Sequence, residues 1–442
     1  GSNIRWFAEL PVVTEPNVNW FQRTAARAVH SSTGLRPGPV HLDWPFREPL
    51  EPKLGRSAPL QSVAIQLDYP IATLAPSRIK ALAETFEKAP RGLVIAGPMT
   101  QGSHWKEAVH SFCRKTGYPL LAEPLSQLRS ISDGVVVINH HDHLLRSSWA
   151  ETVVPEIVVR LGGPPTCKPL RLWLEHHQAP LVMFDPSSSW ADPSFTVSEV
   201  ATTGHEGLME IAETIESPAF DQGWAQSWQT ADQQATTVIN KVLDSEPLSQ
   251  PAVARELGRR LPSDHVLYVS NSMPVRDVDS FLEARLDPLR VIGNRGASGI
   301  DGVISSAAGV AAAGNQTTLL IGDLAFQHDI SGLLAILNDN LSLTIVVLDD
   351  QGGGIFSHLP ISQVTEPSLF KEFFTTPQSL PIREITEALA VDYLEVTDTT
   401  RLAELLANPQ RLRVIRIPVD PELDLDQHRQ LAQAVTDSLS SL

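Results

Sequence analysis

Two apolar runs, each ending at an acidic residue, most constrain how this chain can fold. The run TLLI (318–321) leads through glycine into Asp323, and SLTIVVL (342–348) leads through aspartate into Asp350. The helix-like stretch between them has a suitable length for a right-handed crossover between parallel strands. Ligands of open α/β sheets bind at the carboxyl ends of the strands. The pattern therefore predicts that Asp323 and Asp350, 27 residues apart in the chain, meet at one sheet edge.

These two carboxylates indicate a divalent metal site beside a phosphate group. Hard oxygen ligands suit Mg²⁺, which completes its coordination shell with water and phosphate oxygens. Gly352, Gly353 and Gly354 follow Asp350 and let the backbone approach a ligand closely. Because aspartate and glycine also favour turns, a pair of turn aspartates beside a glycine loop is the alternative interpretation. Asp329 is predicted to be the N-cap of the crossover helix.

The rest of the sequence predicts an α/β protein with several domains. A chain of 442 residues exceeds the size of one ordinary domain. Alternating strand-like and helix-like stretches predict doubly wound parallel-sheet domains. In the middle region the strand-like runs are RGLVIAGPM, YPLLAEP, GVVVINH, EIVVRLGG and APLVMFDP. We predict a remnant of an N-terminal domain plus linker at 1–56, a middle domain at 57–220 and a C-terminal domain at 221–442. Trp224 and Trp228, four residues apart, are expected to pack in a core.

Charge and cysteine content narrow the possible functions. The formal net charge of -17 argues against broad binding to nucleic acid or anionic membranes. No apolar run reaches the roughly 18–20 residues that cross a bilayer. The two cysteines, Cys113 and Cys167, offer no disulfide framework and fit a reducing compartment. We therefore expect a cytoplasmic protein that acts on small molecules.

A histidine cluster and a cysteine–lysine pair have less specific interpretations. His140, His141 and His143 lie in NHHDHLLR, which has no histidine pair at the helical i,i+4 spacing and no cysteine nearby in the sequence. Ordinary loop residues are therefore favoured over a metal site. Cys167 precedes Lys168, and an inert thiol is favoured there over a reactive one.

Longer motifs around the two acidic strand ends resemble those of the thiamine diphosphate enzymes, whose signature places Asn-Asn one crossover after Gly-Asp. The closer resemblance is to the 2-succinyl-5-enolpyruvyl-6-hydroxy-3-cyclohexene-1-carboxylate synthase (MenD) family. The matching motifs are SNSMPVRDVDSF, NRGASGIDGVISSAAG, GDLAFQHDISGLL and GGGIFSHLP, with RWFAELP and RPGPVHLDWPFREPL nearer the start. The resemblance runs through nearly the whole chain.

This resemblance implies a transferase of menaquinone or phylloquinone biosynthesis. Such an enzyme uses thiamine diphosphate and Mg²⁺ (or Mn²⁺) to decarboxylate 2-oxoglutarate and to add the remaining unit to isochorismate. By motif match, Asp323, Asp350 and the Gly352 carbonyl would be the metal ligands. The matched cofactor-binding positions are Ile300, Gly322, Asp323, Leu324, Gly352, Gly353, Ile355, Phe356 and Leu359. Ile300 would be the apolar wedge that bends the cofactor.

The same resemblance implies a substrate site rich in basic groups. Both substrates carry several carboxylates, for which guanidinium groups are natural partners. Arg276 and Arg295 match the family's arginines, and Asn271 and Ser272 match its polar pair. Lys168, in the middle region, matches a basic residue that reaches the same pocket. A solvated surface role is the alternative for each of these charged side chains.

Two departures from the family pattern qualify these expectations. Asp350 stands where the family usually has asparagine, so an extra negative charge beside the diphosphate is expected to alter metal affinity. The chain also begins near the end of the family's first domain, and none of its glutamates matches the one that activates the cofactor. We therefore expect this chain to be inactive alone.

Two other functions stay open at this point. One is a non-catalytic cofactor-binding or scaffold chain. The other is a different thiamine diphosphate decarboxylase or ligase, such as one of the acetolactate synthase type. Because the family places its active site between subunits, the resemblance also implies a homodimer or homotetramer.

Overall fold

The first part of the chain contains two short parallel strands and one helix. In the computed structural model β1 (Trp6–Glu9) pairs with β2 (Val40–Asp43), and α1 (Val18–Thr33) lies between them in the sequence. These three elements make up the described part of the predicted N-terminal remnant. The structure describes residues 3–12, 18–51, 65–69, 71–99, 102–408, 411–440 and 442. Residues 52–56, at the end of the predicted remnant plus linker (1–56), lie outside these residues.

The second part is a six-stranded parallel sheet with the strand order β5-β4-β3-β6-β7-β8. Its elements are α2 (Pro76–Glu87), β3 (Gly92–Ala96), α3 (Gly102–Thr116), β4 (Leu120–Ala122), β5 (Val137–Ile138), α4 (His141–Leu144), β6 (Ile157–Leu161), α5 (Lys168–His177), β7 (Leu181–Phe184), β8 (Glu199–Ala201) and α6 (His205–Thr214). All residues of β3 and β6 are buried, because apolar side chains pack on both faces of the sheet. The five predicted strands of this region are confirmed.

The third part is another six-stranded parallel sheet, with the order β10-β9-β11-β12-β14-β13. Its elements are α7 (Gln222–Ser245), α8 (Gln250–Arg260), β9 (Val266–Val269), α9 (Met273–Phe281), β10 (Arg290–Gly293), α10 (Val303–Ala312), β11 (Thr317–Gly322), α11 (Asp323–His328), α12 (Gly332–Asn338), β12 (Leu343–Asp349), α13 (Ile361–Val364), α14 (Pro367–Phe370), α15 (Ile382–Ala388), β13 (Asp392–Glu395), α16 (Thr399–Ala407), β14 (Leu412–Pro418) and α17 (Pro421–Leu439). The predicted α/β fold with parallel sheets is therefore confirmed.

The crossover between β11 and β12 sets the geometry of the strand ends. The two strands are parallel neighbours, with Gly322 opposite Leu348. The crossover consists of two helices, α11 and α12, and Ser331 is the N-cap of α12. The prediction that Asp329 caps the crossover helix is wrong. Its carboxylate accepts hydrogen bonds from the backbone N (2.6 Å) and the Oγ (2.9 Å) of Ser305, and so satisfies an N–H group in the first turn of α10.

A continuous apolar core joins the two large sheets. Leu93 of β3 and Leu320 of β11 belong to the same cluster of buried side chains. The predicted packing of Trp224 and Trp228 is confirmed, since both are buried in this cluster. The Trp228 ring lies 5.0 Å from that of Trp149, edge to face. None of the helices in the described part of the chain is long and apolar enough to span a membrane.

Truncating Trp228 is expected to destabilise the protein strongly. The Trp228→Ala substitution removes a fully buried indole and leaves a cavity, which should cost about 3–5 kcal/mol of unfolding free energy. Urea denaturation followed by circular dichroism measures this loss. Trp190→Ala is the matched control, because that side chain is 64% exposed and its removal should cost less than about 1 kcal/mol. Equal losses in the two variants would contradict the assigned packing.

Candidate functional site

The two predicted acidic residues lie together at the carboxyl ends of β11 and β12. Asp323 is the first residue of α11, immediately after β11, and its carboxylate is buried. Asp350 follows the last residue of β12 and is half-buried. The two carboxyl groups are close enough to hydrogen-bond to each other. The predicted convergence at one sheet edge is therefore confirmed.

The neighbouring carboxylate, Asp349, has a different environment. Successive side chains of a strand point to opposite faces, so Asp349 and Asp350 diverge. Asp349 accepts a hydrogen bond from the Nε of Arg416 on β14, at 2.6 Å. Gln250, at the start of α8, places its Nε2 3.5 Å from Asp350. Only Asp350 of this pair therefore faces Asp323.

Burial favours protons on the two facing carboxyls, and the charge of Asp350 adds to this effect at Asp323. Burial is the main cause that raises the pKa of Asp323 to about 8, and the charge of Asp350 is the second. A hydrogen bond from the Leu324 backbone N–H acts in the opposite direction. Burial also raises the pKa of Asp350 to about 6, against the lowering effect of the Gly352 backbone N–H. Two acidic groups in such contact would be stabilised by a shared cation, which replaces their protons.

The glycine loop after β12 is packed too tightly for side chains. A Cβ on Gly352 would lie 2.3 Å from the carbonyl oxygen of Thr375, and one on Gly354 would lie 2.1 Å from a carboxylate oxygen of Asp350. The Gly353 N–H donates to the same Thr375 oxygen at 2.7 Å. By contrast, a Cβ on Gly322 would meet no atom of the described residues within 4 Å, so among them the end of β11 is open. The glycines thus hold the loop close behind the carboxylate pair.

Apolar residues predicted for cofactor binding surround these strand ends. Ile355 and Phe356 are half-buried in a 3₁₀ turn (Gly354–His358) that directly follows the glycine loop, and Leu359 after it is 38% exposed. Ile300 is half-buried and packs against the apolar cluster that contains Ile321 of β11 and Val347 of β12. Leu324 follows Asp323 and is likewise half-buried. These partly exposed apolar side chains suit contacts with an organic ligand.

Two arginines from adjacent strand ends lie near each other. Arg276 is in the first turns of α9, after β9, and Arg295 is in the loop after β10. Burial lowers the pKa of Arg276, and the positive charge of Arg295 lowers it further. Such a pair of like charges is typical of a site for a polyanionic ligand.

Asn271 and Ser272 hold these two arginines in place. The Asn271 Nδ2 donates to the carbonyl oxygens of Asn294 (2.9 Å) and Gly299 (2.7 Å), which joins the β9 and β10 loops. Its Oδ1 accepts from the Nη1 of Arg295 at 2.5 Å. Arg276 donates to the Ser272 carbonyl oxygen at 2.6 Å. Ser272 has a positive φ of 70° at the turn into α9.

A loop of the middle sheet reaches the same arginine. The Nη2 of Arg295 lies 3.4 Å from the Oγ1 of Thr166, two residues before Lys168. Lys168 begins α5 and is exposed. The helix that Lys168 begins therefore starts two residues after a contact of Arg295, and the predicted role of Lys168 stays a prediction.

Several polar residues behind the site had no local sequence signal. His428 of α17 contacts Asp277 through Nε2 at 2.9 Å. Burial lowers the pKa of His428, but the charges and hydrogen bonds of Asp277 and Asp424 outweigh it and raise the pKa well above the usual value. Burial raises the pKa of Glu123 to about 8, and the negative charge of Asp279 is the second cause of this rise. These partners are far apart in the chain, so only the fold reveals them.

Comparisons with known proteins agree with this geometry. A family model described as the middle domain of thiamine pyrophosphate matches residues 74–269. A second one, described as the C-terminal TPP binding domain of thiamine pyrophosphate enzymes, matches residues 278–411. The fold is therefore that of a thiamine diphosphate enzyme.

Similar curated proteins narrow this class to one family. The protein is 36% identical to the 2-succinyl-5-enolpyruvyl-6-hydroxy-3-cyclohexene-1-carboxylate synthase of Geobacillus thermodenitrificans, over 100% of this chain and 77% of the relative. The synthase of Geobacillus kaustophilus is 38% identical over 88% of this chain and 68% of its own length. The synthase of Chloroflexus aurantiacus is 34% identical over 100% of this chain and 77% of its own length. The chain belongs to this synthase family.

Proposed function

We propose that this chain supplies the cofactor- and substrate-binding domains of an enzyme that converts 2-oxoglutarate and isochorismate to 2-succinyl-5-enolpyruvyl-6-hydroxy-3-cyclohexene-1-carboxylate and CO₂. The main support is the combination of a carboxylate pair at β11 and β12 with an arginine pair at β9 and β10, on one edge of one sheet. The first pair suits a cation and diphosphate, and the second suits substrates with several carboxylates. Thiamine diphosphate, when bound, supplies the electron-accepting group that decarboxylation of a 2-oxo acid requires.

In this proposal Asp323, Asp350 and the Gly352 carbonyl hold Mg²⁺ (or Mn²⁺). The mutual contact of the carboxyls and their raised pKa values support this assignment, because a divalent cation relieves their repulsion. The cofactor itself would contact a wider set of residues. These are Ile300, Gly322, Leu324, Gly353, Ile355, Phe356 and Leu359.

The arginine pair would bind and orient the substrate carboxylates. Arg276 and Arg295 would each offer a planar set of N–H donors, and Lys168 would add a point charge from the middle sheet. Asn271 and Ser272 would keep the two guanidinium groups in position, through the contacts at 2.5 and 2.6 Å. Both arginines would therefore meet the substrate with little loss of conformational freedom.

An assay of the intact protein with alternative 2-oxo acids tests this function. With thiamine diphosphate, Mg²⁺ and isochorismate present, 2-oxoglutarate should be consumed with release of CO₂. Pyruvate lacks the second carboxylate, so its kcat/KM should be lower by at least about 100-fold. Preferential use of pyruvate would favour an acetolactate type of enzyme. Consumption of neither acid would favour a non-catalytic cofactor-binding protein.

Metal affinity is expected to rise with pH. Mg²⁺ binding requires both carboxylates to lose their protons, so affinity should increase between about pH 6 and 8 and then level off. In the metal-free protein the sign is opposite: the stability contributed by protonated Asp323 is lost as the pH rises through its raised pKa. Isothermal titration with Mg²⁺ and thiamine diphosphate from pH 6 to 9 measures the affinity.

The Asp350→Asn variant tests the origin of this pH dependence. Removing the charge of Asp350 should lower the pKa of Asp323, so the affinity should level off at a lower pH. An unchanged pH profile in this variant would show that the two carboxyls are not coupled through the metal. Gln250 would still face the amide at position 350, so the local packing should be retained.

We also propose a division into 1–56, 57–220 and 221–442, and a cytoplasmic homodimer or homotetramer. The division is supported by the separate strand sets of the two large sheets. The oligomer is supported by the family resemblance alone. Light scattering of the purified protein measures its mass, and a monomer at working concentration would contradict the assembly.

A further inference from the structure

A second cluster of potential metal ligands lies away from the carboxylate pair, between the two large sheets. It comprises His141 of α4, Cys167 at the N-cap of α5 and Asp279 of α9. All three residues are buried, with exposures of 1%, 5% and 4%. One ligating atom of each lies within 4.8 Å of the other two. The fold has thus collected a nitrogen, a sulfur and an oxygen donor from three distant segments.

His141 lacks the hydrogen bonds that a buried histidine normally makes. Within the described part of the chain, neither of its ring nitrogens has a hydrogen-bond partner. Its Nε2 lies 3.5 Å from the Oδ2 of Asp279. A buried polar group without a partner is costly, and an ion is one ordinary explanation for such a group. The unsatisfied nitrogen therefore points to a missing ligand at this place.

The other two donors are already oriented towards the cluster. Arg129 binds the Oδ1 of Asp279 at 2.9 Å and donates to two carbonyl oxygens near the end of α9, which leaves Oδ2 facing His141. The Cys167 sulfur accepts the Leu170 N–H at 3.5 Å as an N-cap, and its thiol donates to the Oδ1 of Asp142 at 3.4 Å. Partners of this kind fix the direction of metal ligands in proteins. To bind an ion, Cys167 would give up the proton that it now shares with Asp142, and the three donors would close from within 4.8 Å of one another.

We propose that His141, Cys167 and Asp279 bind a zinc-like divalent cation, with water as the fourth ligand. Bonds of about 2.0–2.3 Å in a tetrahedral site separate the ligands by about 3.3–3.8 Å, which the 3.5 Å between His141 and Asp279 matches. One thiolate and one carboxylate cancel the charge of a divalent cation, and the neighbouring Asp142 has its own partner in Arg146 at 2.9 Å. Thiolate and imidazole select zinc-like metals, whereas the all-oxygen pair elsewhere suits Mg²⁺.

Such an ion would fasten the middle sheet to the C-terminal sheet. Cys167 directly precedes Lys168, and Asp279 lies on the same helix as Arg276. The ion would therefore fix the relative positions of two segments that carry proposed substrate-binding residues. Its role would be structural, because none of its three ligands is among those residues.

Cobalt substitution of the intact protein tests the proposal directly. After Co²⁺ replaces the native metal, a thiolate ligand gives an intense charge-transfer band in the near ultraviolet, which oxygen ligands do not give. Elemental analysis should find about one zinc per chain after dialysis against zinc and removal of the excess. These two measurements on the wild-type protein are sufficient to test whether the cluster binds a metal ion. Absence of both the cobalt–thiolate band and retained zinc would overturn the proposal.

Matched cysteine variants identify the ligand. Cys167→Ser should lose the band, whereas Cys113→Ser should keep it, because Cys113 is equally buried but lies outside the cluster. His141→Gln should lower the zinc content as well. A band that survives in Cys167→Ser but disappears in Cys113→Ser would overturn the assignment. Mg²⁺-dependent cofactor binding gives a separate readout, so a failure of the zinc site would be distinguishable from a failure of the proposed activity.

Discussion

The Asp323→Ala variant is expected to bind thiamine diphosphate and Mg²⁺ on the order of 10³-fold more weakly than the wild-type protein. The substitution removes one of two facing carboxylates and leaves Asp350 as the single charged ligand. A divalent ion and its ligands typically contribute several kcal/mol, and each 1.4 kcal/mol is a factor of ten. Titration of the cofactor at saturating Mg²⁺, followed by quenching of tryptophan fluorescence, measures the change. Activity should fall in parallel.

Asp349→Ala provides the control for this prediction. Asp349 is also an aspartate and is adjacent to Asp350 in the chain, but its carboxylate pairs with Arg416. Its removal should weaken cofactor binding by less than about tenfold while lowering stability through loss of a half-buried ion pair. Similar losses of cofactor affinity in both variants would show that the effect comes from overall charge and not from direct coordination.

The Arg295→Ala variant is expected to lower kcat/KM by about 10²–10³-fold, with little change in cofactor affinity. Arg295 is held by Asn271 and Thr166 from two different sheets, so its guanidinium is oriented before substrate binds. Loss of an oriented charge that pairs with a carboxylate typically costs about 2–5 kcal/mol. Steady-state kinetics with each substrate varied in turn would show which carboxylate it binds.

Arg290→Ala is the matched control for Arg295. Arg290 is exposed and lies at the opposite end of β10, the strand that leads to Arg295. Its removal should leave kcat/KM within about twofold of the wild-type value, because it cannot reach the strand ends that form the site. If both variants lost activity equally, Arg295 would act through the stability of β10 and not through substrate binding.

Much of the fold could be predicted from local patterns. The runs that became β3, β6, β11 and β12 are apolar throughout or nearly so, because each strand is covered on both faces. The convergence of Asp323 and Asp350 followed from the crossover length and the handedness of parallel connections. The tight glycine loop was also visible, since no other residue fits so close to a neighbouring carbonyl.

Other features were missed because they depend on contacts between distant segments. Asp329 was expected to cap its own helix, but the fold places Ser305 nearer to its carboxylate. His141 and His143 were interpreted as loop residues, yet they are buried, and both belong to a short helix. No cysteine lies near these histidines in the sequence, as stated above. In the folded protein, however, Cys167 lies next to His141.

The amino-acid sequence by itself determined the parallel sheets, the strand-end carboxylates, the glycine loop and the family. These features depend on the local periodicity of apolar residues and on the right-handed crossovers that connect parallel strands. Only the tertiary structure decided that Asp349 pairs with Arg416, which arginines approach each other, and which buried donors share a space between the sheets. Such contacts depend on how helices from separate regions pack, and side-chain packing of this kind leaves no regular spacing in the chain.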